Sequence, residues 1–461
     1  MIDTGAIRSK VLELAIQGKL SEQLLEDGNA EELYVLIQEE KQKLIKEGKI
    51  KKEKLLADIT EEEIPFDIPS NWKWVRLGDC VSILGDGLHG TPKYSTNGEY
   101  YFINGNNLKD GKIEIKSDTK CVDFEEYEKY KKTLNDSTVL VSINGTIGNV
   151  AFYSEEKVIL GKSACYFNML DKAWKKYIYW IIKTDYFIKY ATTKATGVTI
   201  KNVSLAAMKL FLIPLPPLEE QERITKKIED IFNTLDWIDS LQNSYISDSE
   251  ILKTKIIDAG IQGKLTIQLQ EDGFAECINE EEIPDKDKSF DIPDNWRWIR
   301  LGWAMEIERG GSPRPIKAYM TEEENGINWI KIGDVEKDGK YIYSTKEKIK
   351  PEGEKKSRKV YPGDFLLTNS MSFGRPYISK IEGCIHDGWL LLRNSKGIFD
   401  LDYLYWLLSS KYAYNQFVQK ASGATVDNLN KDKVASAIIP LPPLAEQRRI
   451  ANRIEELIQL L

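Results

Sequence analysis

Apolar residues recur in alternating steps of four and three along the middle of the chain, from Ile224 to Ile256. This spacing is the heptad pattern of a helix that packs along a seam against another helix. Pro216 and Pro217 precede the pattern and Gly260 follows it, which bounds the predicted helix at both ends. A helix of roughly 40 residues is about 60 Å long, because each residue adds about 1.5 Å.

The same seam continues in two shorter pieces at the ends of the chain. Residues 444–461 align with 218–235, and residues 2–20 align with 247–265. The two terminal segments together look like one helix that is opened where the chain begins and ends. We expect this split helix to pack antiparallel to the central one, in a pseudo-two-fold, circular arrangement. The predicted seam consists of Ile7, Val11, Leu14, Ile224, Ile228, Ile231, Leu235, Ile238, Leu252, Ile256, Ile450, Ile454, Leu457 and Leu461.

Between the helices the sequence repeats itself. Three segments return after 224 to 226 residues, and a nearly constant offset indicates two similar domains. The copies differ strongly between these anchors, as residues 144–148 and 370–374 show. A shared frame with different interiors suits one fold used for two targets, although a duplication that drifted without functional meaning has the same pattern. The repeated segments are 71–78 and 295–302, 177–180 and 403–406, and 214–218 and 440–444.

Each repeat has a mixed secondary-structure pattern. The apolar runs Val139–Ile143 and Phe365–Thr368 predict strands, the two Tyr-x-Tyr-Trp segments predict amphipathic helices, and Asn-Gly and Asp-Gly pairs predict turns. The predicted fold class is α+β, with two similar mixed α/β domains separated by long antiparallel coiled-coil helices. The predicted regions are an N-terminal helical region at 1–69, a first domain at 70–216, a central helix at 217–267, a linker at 268–293, a second domain at 294–442 and a C-terminal helix at 443–461.

The first copy carries an insertion. The segment at 16–20 returns at 261–265, which is 245 residues later and 21 residues more than the offset of the domain starts. The extra residues fall within 29–60, a charged and helix-prone stretch. Such a stretch could contact phosphates, but a solvated helical face is the more common role of a charge run.

Composition limits the class of protein. The 461 residues are 42% hydrophobic and 30% charged, which is typical of globular proteins and long enough for more than one domain. No apolar run has the length of a membrane span, and the first residues lack the pattern of a signal peptide. The five cysteines are scattered without a CxxC pair, which argues against a disulfide framework or a zinc site. These features predict a cytoplasmic protein without a membrane partner.

Charge is distributed unevenly along the chain. The formal net charge is −8, but residues 70–216 carry 20 Lys and Arg against 15 Asp and Glu, and residues 294–442 carry 23 against 19. Two mildly basic domains therefore lie on an acidic frame. This distribution is compatible with nucleic-acid binding, although an excess of this size is also ordinary surface variation.

Catalytic and cofactor motifs are weak. Residues 85–90 fit GxGxxG, but turn signals follow where a dinucleotide site needs a helix. Residues 161–163 resemble the end of a phosphate loop, but Glu156 stands where that loop needs its first glycine. The two histidines, His89 and His386, do not support a His-based triad or metal cage. We therefore predict a non-catalytic chain with no cofactor or metal of its own.

The candidate DNA contacts are polar loop residues of the two domains. Base edges are contacted by Arg, Lys, Asn, Gln, Ser and Thr, and phosphates by Lys, Arg, hydroxyls and backbone amides. The same residue types are common in loops because they satisfy their own turns, so we expect under half of the candidates to contact DNA. The candidates in the first domain are His89, Lys93, Tyr94, Asn104, Asn106, Asn107, Ser142, Asn144, Thr146, Thr199, Lys201 and Asn202. Those in the second are Arg309, Ser312, Arg314, Lys317, Lys331, Asn369, Ser370, Ser372, Arg375, Thr425 and Asn428.

Three twice-used motifs resemble the specificity subunit of type I restriction–modification enzymes. They are the Pro-Leu-Pro-Pro-Leu-x-Glu-Gln junction, the Ile-Gln-Gly-Lys-Leu helix end and the Pro-x-x-Trp-x-Trp-x-Arg-Leu-Gly domain start. The resemblance covers essentially the whole chain. It implies two target recognition domains, each of which reads half of a bipartite double-stranded DNA target with an unspecified spacer.

The resemblance also implies partners. In that family the helices recruit two methyltransferase subunits, which use S-adenosylmethionine to methylate adenine at N6, and two motor-nuclease subunits can join for cleavage. The cofactor therefore belongs to the partner, and the expected role is bacterial defence. The unequal linkers, with the charged insert only in the first, leave the role of the insert open.

Two other classes of function remain open from the sequence. The chain could be a coiled-coil scaffold whose repeats bind peptides without sequence-specific DNA binding. It could also be an enzyme of its own, such as a fused methyltransferase-nuclease, although the missing cofactor and metal motifs argue against this. Salt-sensitive, sequence-dependent DNA binding would distinguish a DNA-recognition subunit from the scaffold. Methyl transfer by the isolated chain would support the enzyme.

Overall fold

The computed structural model describes residues 1–171, 174–197, 201–275, 282–336, 339–369, 374–421 and 429–461. The chain divides into two compact units, residues 1–243 and 244–461. Because the division falls inside the longest helix, each unit contains one domain and one half of that helix.

The helices follow the predicted order. They are α1 (Thr4–Ile16), α2 (Ala30–Lys46), α3 (Phe124–Tyr130), α4 (Lys175–Ile182), α5 (Asp185–Lys194), α6 (Leu205–Leu210), α7 (Leu218–Ile261), α8 (Leu301–Ala304), α9 (Leu401–Ser409), α10 (Lys411–Ala421), α11 (Lys431–Ala435) and α12 (Leu444–Ile458). No described helix is both long and apolar enough to span a membrane.

The strands fall into two groups. In the first unit they are β1 (Lys73–Arg76), β2 (Val81–Asp86), β3 (Tyr100–Ile103), β4 (Leu108–Lys109), β5 (Lys112–Ile113), β6 (Cys121–Val122), β7 (Thr138–Ser142), β8 (Val150–Phe152), β9 (Val158–Leu160), β10 (Ala164–Met169) and β11 (Leu212–Leu215). In the second unit they are β12 (Arg297–Arg300), β13 (Glu306–Arg309), β14 (Met320–Thr321), β15 (Ile327–Ile330), β16 (Tyr341–Ile342), β17 (Glu347–Ile349), β18 (Arg358–Val360), β19 (Phe365–Thr368), β20 (Pro376–Ser379), β21 (Gly383–Ile385), β22 (Trp389–Arg393) and β23 (Ile438–Leu441).

In the first unit, α1 runs antiparallel to the first half of α7. Near the start of α1, the Thr4 hydroxyl donates to the Asp239 carboxylate over 2.5 Å. Beyond the end of α1, the Ser21 hydroxyl donates to Glu220 over 2.9 Å, near the start of α7. The start of α1 thus lies beside a later part of α7, and the end of α1 lies beside the start of α7. This order confirms the predicted antiparallel pairing.

In the second unit, α12 pairs with the second half of α7 in the same way. The Thr266 hydroxyl, just after α7, donates to Glu446 in the first turn of α12 over 3.0 Å. At the other end, the Tyr245 hydroxyl donates to the backbone oxygen of Leu461. The two terminal pieces of the predicted split helix therefore each pack antiparallel to a part of α7, one in each unit.

The buried stripe of these helices is displaced from the predicted seam at two positions. Ile7 is 38% exposed and its counterpart Leu252 is 46% exposed, whereas Leu12 and Ile257 are buried. The reason is that both helices also pack on their domains. Helix α1 contacts α4 and α5, and Ile257 of α7 belongs to the core of the second domain, so each buried face is turned toward its domain. The prediction is corrected for Ile7 and Leu252. Val11, Ile224, Ile228, Leu235, Ile256, Ile450 and Ile454 are buried, and Leu14, Ile231, Ile238, Leu457 and Leu461 are half-buried.

The two domains share one framework of sheets. In the first, β1 pairs with β11, β2-β10-β7-β8 form one sheet, and β6-β3-β9 form another. In the second, β12 pairs with β23, and two five-stranded sheets have the orders β13-β22-β19-β20-β16 and β14-β17-β15-β21-β18. The first and last strands of each domain are therefore neighbours, which places both chain connections of each domain on one side, at the helices.

The strands predicted from apolar runs are buried on both faces. In β7, Val139 and Val141 belong to the core shared with the helices, whereas Leu140 belongs to the core between the two sheets. In β19, Phe365 and Leu366 divide in the same way. Because neighbouring residues of a strand point to opposite faces, a strand between two cores is a continuous apolar run.

The charged insert packs on the first domain. Gln38 in α2 donates to the Asp79 carbonyl over 3.1 Å, and the Lys41 ammonium donates to the Gly78 carbonyl over 2.6 Å. Burial lowers the pKa of Lys41. Ile37 is buried, whereas other side chains of α2 remain exposed. The predicted solvated face is thus one side of an amphipathic helix that covers the start of β2.

Candidate nucleic-acid interface

Strand ends of the first domain converge at one edge. Both β2 and β7 run antiparallel to β10, so Asp86 and Ser142 end their strands next to the beginning of β10. In the other sheet, β3 and β9 are parallel, with Ile103 beside Leu160. We call the loops that follow, residues 86–94, 104–107, 142–149, 161–163 and 201–203, the first loop edge.

Hydrogen bonds join these loops into one framework. The Leu88 N–H donates to the Leu160 carbonyl over 2.7 Å, and the Val203 N–H donates to Ile143 over 2.9 Å. The Gly105 N–H donates to the Ser163 hydroxyl over 2.9 Å. The Ile143 N–H donates to the Ser163 carbonyl over 3.0 Å and so joins the two groups of loops. Five segments that are distant along the chain therefore form one framework, which the sequence could not show.

Two predicted contacts of the first domain lie inside this framework. Asn107 is buried, and its amide donates to the Glu114 carbonyl over 3.0 Å and to the Thr119 hydroxyl over 3.2 Å. Ser142 is also buried, and its hydroxyl contacts the Asn144 carbonyl at 3.2 Å. Both side chains satisfy neighbouring loops rather than lie at the surface, which corrects the prediction for these two residues.

The other described candidates reach the surface to different degrees. Asn144 and Asn202 are half-buried, and their amides contact each other at 3.4 Å. Asn104 is half-buried and accepts from the Ser163 hydroxyl over 3.0 Å. The His89 Nε2 lies 2.6 Å from the Asp86 carboxylate. Exposed side chains are those of His89, Lys93, Tyr94, Asn106, Thr146 and Lys201.

The second domain has an equivalent edge. Both β13 and β19 run antiparallel to β22, and β15 is parallel to β21, so that the ends of β13, β15, β19 and β21 meet. The Gly310 N–H donates to the Trp389 carbonyl over 2.9 Å, and the Asn369 N–H donates to Gly388 over 3.1 Å. We call residues 309–319, 331–335, 369 and 386–388 the second loop edge.

An ionised carboxylate organises the second loop edge. The Ser312 hydroxyl donates to Asp387 over 2.7 Å, and the Arg314 guanidinium lies 3.5 Å from the same carboxylate. The Ser312 hydrogen bond holds the pKa of Asp387 below its usual range. The Arg314 side chain is 82% exposed, so the guanidinium has N–H groups that face solvent although one of its nitrogens lies near Asp387.

Three other candidates of the second domain make contacts within the protein or line a cleft away from the second loop edge. Asn369 is buried and its amide donates to the Asp387 carbonyl over 2.7 Å, which corrects its prediction as a DNA contact. Lys331 is paired with Glu347. Arg375 is half-buried and lines a cleft with Lys253 of α7, on the helix side of the domain. Arg309 and Lys317 are exposed. Thr199, Ser370, Ser372, Thr425 and Asn428 lie outside the described residues.

The family model for the type I restriction modification DNA specificity domain matches residues 69–244 and 293–461, which include both loop edges. The chain belongs to this family. It is a specificity subunit of the type I restriction–modification class, and such subunits are non-catalytic.

Individual relatives agree with the family match. The EcoAI specificity subunit of Escherichia coli is 23% identical over 98% of this chain and 88% of its own length. The EcoEI specificity subunit of the same species is 26% identical, over 56% of this chain and 45% of its own length. The fold is similar to the crystal structure of the HsdS subunit from Thermoanaerobacter tengcongensis, with a TM-score of 0.53 and 21% identity over 86% of this chain and 91% of that chain.

Two further polar residues lie at the loop edges and were not among the predicted candidates. Lys162 is exposed between β9 and β10 in the specificity subunit, in the segment that resembled a phosphate loop. His386 follows β21, and the N–H groups of Ile332 and Gly388 point at its ring nitrogens at 3.2 and 2.8 Å. Burial lowers the pKa of His386. Both follow a short apolar strand, which was the available signal.

The described residues contain no group of His, Cys, Asp and Glu suited to a metal ion. Burial raises the pKa of the Cys80 and Cys165 thiols, so neither is poised to act as a thiolate. The chemistry that the two edges offer is hydrogen bonding and charge.

Proposed function

We propose that this specificity subunit reads a bipartite double-stranded DNA target, with one loop edge for each half-site. The observation that carries the proposal is that two similar frameworks present different side chains at equivalent strand ends. Thr146 and Lys201 are exposed at the first edge, whereas Arg309 and Arg314 are exposed at the second. Different hydrogen-bonding groups on one frame are suited to different base sequences.

The exposed groups also divide by the part of DNA that they suit. Lysines, such as Lys93 and Lys317, suit phosphates because they are point charges on flexible stems. Arginine suits guanine, because its guanidinium can donate to O6 and N7 together. Of the two exposed arginines at the second edge, Arg309 ends β13, whereas Arg314 lies in the loop that follows and its side chain is 82% exposed. Arg314 is therefore the stronger candidate for direct base contact.

The helices are the proposed docking surface for partners. In the first unit Trp237 is 63% exposed and Leu241 is exposed, and in the second unit Tyr245, Ile246 and Ile251 are exposed. Exposed apolar clusters of this kind often mark protein interfaces. We propose that α7 holds two methyltransferase subunits, which bind S-adenosylmethionine and methylate adenine at N6 in the cytoplasm. Two motor-nuclease subunits are a further proposed partner.

The test is to co-express the chain with a methyltransferase encoded beside it and to map N6-methyladenine across the host DNA. The proposal predicts a split motif, with two short defined halves and a fixed gap. An assembled complex with demonstrably active methyltransferase that gives no methylation, or a continuous motif, would contradict the proposal.

The scaffold alternative is supported by the same exposed residues of α7. It predicts DNA binding that is absent or independent of sequence. The specificity reading instead predicts affinity for one sequence that falls steeply with salt, because phosphate contacts release counterions. A binding titration of the assembled complex at two salt concentrations separates the two.

A further inference from the structure

One buried carboxylate stands where the first domain joins its helices. Glu220, in the first turn of α7, has no exposed surface. One of its oxygens accepts from the Ser21 hydroxyl over 2.9 Å and from the Gln23 amide over 2.8 Å. Its other oxygen accepts from the Trp72 indole N–H over 2.8 Å. Three chain segments therefore meet on a single side chain.

The second unit contains the same arrangement around Glu446, in the first turn of α12. One oxygen accepts from the Thr266 hydroxyl over 3.0 Å and from the Gln268 amide over 2.9 Å. The other accepts from the Trp296 indole N–H over 2.9 Å. Thr266 occupies the position that Ser21 has in the first unit. Both side chains supply a hydroxyl donor, so the hydrogen bond is the same although the residue differs.

The segments that meet at each glutamate are the start of the domain and the ends of the helices that hold it. Trp72 directly precedes β1, and Trp296 directly precedes β12, so each indole belongs to the start of its domain. Ser21 follows α1 and Thr266 follows α7, so each hydroxyl belongs to a helix end. The glutamate belongs to the helix that leaves the domain, and it ties the other two segments to that helix.

Stability alone is a weak reason to keep such a group. Burying a carboxylate is costly, and the hydrogen bonds it accepts at best offset that cost. The nearby Arg223 does not neutralise Glu220 directly, because its guanidinium is bound to Asp27 at 2.8 and 2.5 Å. A buried charge that directional donors hold is better suited to select one geometry than to add stability.

We propose that Glu220 and Glu446 are positioning residues for DNA recognition. Each fixes the orientation in which its domain is held on the helices, and so the position along DNA at which that domain meets its half-site. The inference rests on the proposed bipartite function and adds the group that sets the tolerance for spacing. In this proposal neither glutamate contacts DNA itself.

The test is E220Q in the complex with methyltransferase, with methylation rates measured on duplexes whose gap is native, one base pair shorter or one longer. Glutamine keeps the size but turns one acceptor oxygen into a donor, which then faces another donor. We expect the preference for the native gap to fall by about tenfold, with E446Q having the same effect. The matched control is E219Q, which removes an exposed charge from the same turn and should keep the wild-type preference.

A second variant, W72F, leaves the carboxylate in place and removes the indole donor together with part of the buried ring, and should lower the preference by a smaller factor. If E220Q and W72F lower the rates on all three duplexes equally, the carboxylate serves stability alone and the inference is overturned. A wild-type complex without any split motif would instead overturn the proposed function.

Discussion

The first loop edge is built around amides and hydroxyls, whereas the second is built around an ionised carboxylate. Asn104, Asn107 and Ser163 hold the first together through neutral hydrogen bonds. At the second, Asp387 gathers Ser312 and Arg314. The junctions that carry the two domains are nearly identical, so the difference lies where the strands end. It teaches that one frame can hold its loops by neutral hydrogen bonds in one domain and by a carboxylate in the other, without a change in how the domain is attached.

The largest expected effect comes from the backbone contacts that close each edge. A Cβ on Gly310 would lie 2.1 Å from the His386 carbonyl oxygen, and one on Gly87 would lie 2.1 Å from that of Leu160. Backbone must therefore move, and we expect G310A to lower the free energy of unfolding by about 1–3 kcal/mol or more. G310A should degrade only one half of the methylated motif, and G87A only the other.

Matched controls exist at both edges, because a Cβ on Gly90 or Gly333 would meet nothing within 4 Å. G90A and G333A should leave the unfolding transition unchanged. Equal loss of both half-sites in G310A would break the assignment of one edge to each half.

Neighbouring asparagines of the first edge should behave differently. N107A removes the buried amide that donates to the Glu114 carbonyl and to the Thr119 hydroxyl, and we expect it to lower the free energy of unfolding by about 1–3 kcal/mol. N106A removes an exposed side chain and should change it by less than about 0.5 kcal/mol. Chemical denaturation of both variants measures the difference. Equal stabilities would show that Asn107 does not hold the framework.

At the second edge, Arg314 should affect binding rather than stability. We expect R314A to weaken DNA binding by about tenfold, through loss of a base or phosphate contact, while the unfolding transition stays unchanged. K380A is the control, because Lys380 is exposed just beyond β20, at the other end of the sheet. Fluorescence titration with the target duplex measures both. A loss as large in K380A would mean that charge anywhere on the domain suffices.

The smallest expected effect is a pH dependence confined to the second unit. Burial lowers the pKa of His386, so the unfolded state binds more protons than the folded one just below the ordinary histidine pKa of about 6.5. Stability of the second unit should therefore fall as pH falls from 7.5 to 5.5, by up to about 1 kcal/mol. H386Q should flatten this dependence. Hydrogen exchange of β22 amides at several pH values measures it, and an unchanged slope in H386Q would assign the effect elsewhere.

The sequence predicted the architecture because its signals are periodic. The heptads and the nearly constant offset of the repeats predicted α1, α7 and α12 and two similar domains. The error at Ile7 and Leu252 arose because a heptad pattern describes one partner helix, whereas α1 and the second half of α7 also pack on their domains.

The site was predicted only as a set of residue types. Asn106 and Asn107 are adjacent and identical in type, yet only the second is buried. Which loop amide satisfies its neighbours depends on segments distant in sequence, such as Glu114, and no local pattern records it. The helical propensity of α2 was visible, but its contact with Gly78 and Asp79 was not.

The most direct test of the central claim is a map of N6-methyladenine in three strains, each with the same methyltransferase. One carries the wild-type chain, one T146A with K201A at the first edge, and one R314A at the second. We predict that each variant relaxes the bases of one half of the split motif and leaves the other half unchanged. If active complexes of both variants relax the same half, or both halves together, the claim that each loop edge reads its own half-site is wrong.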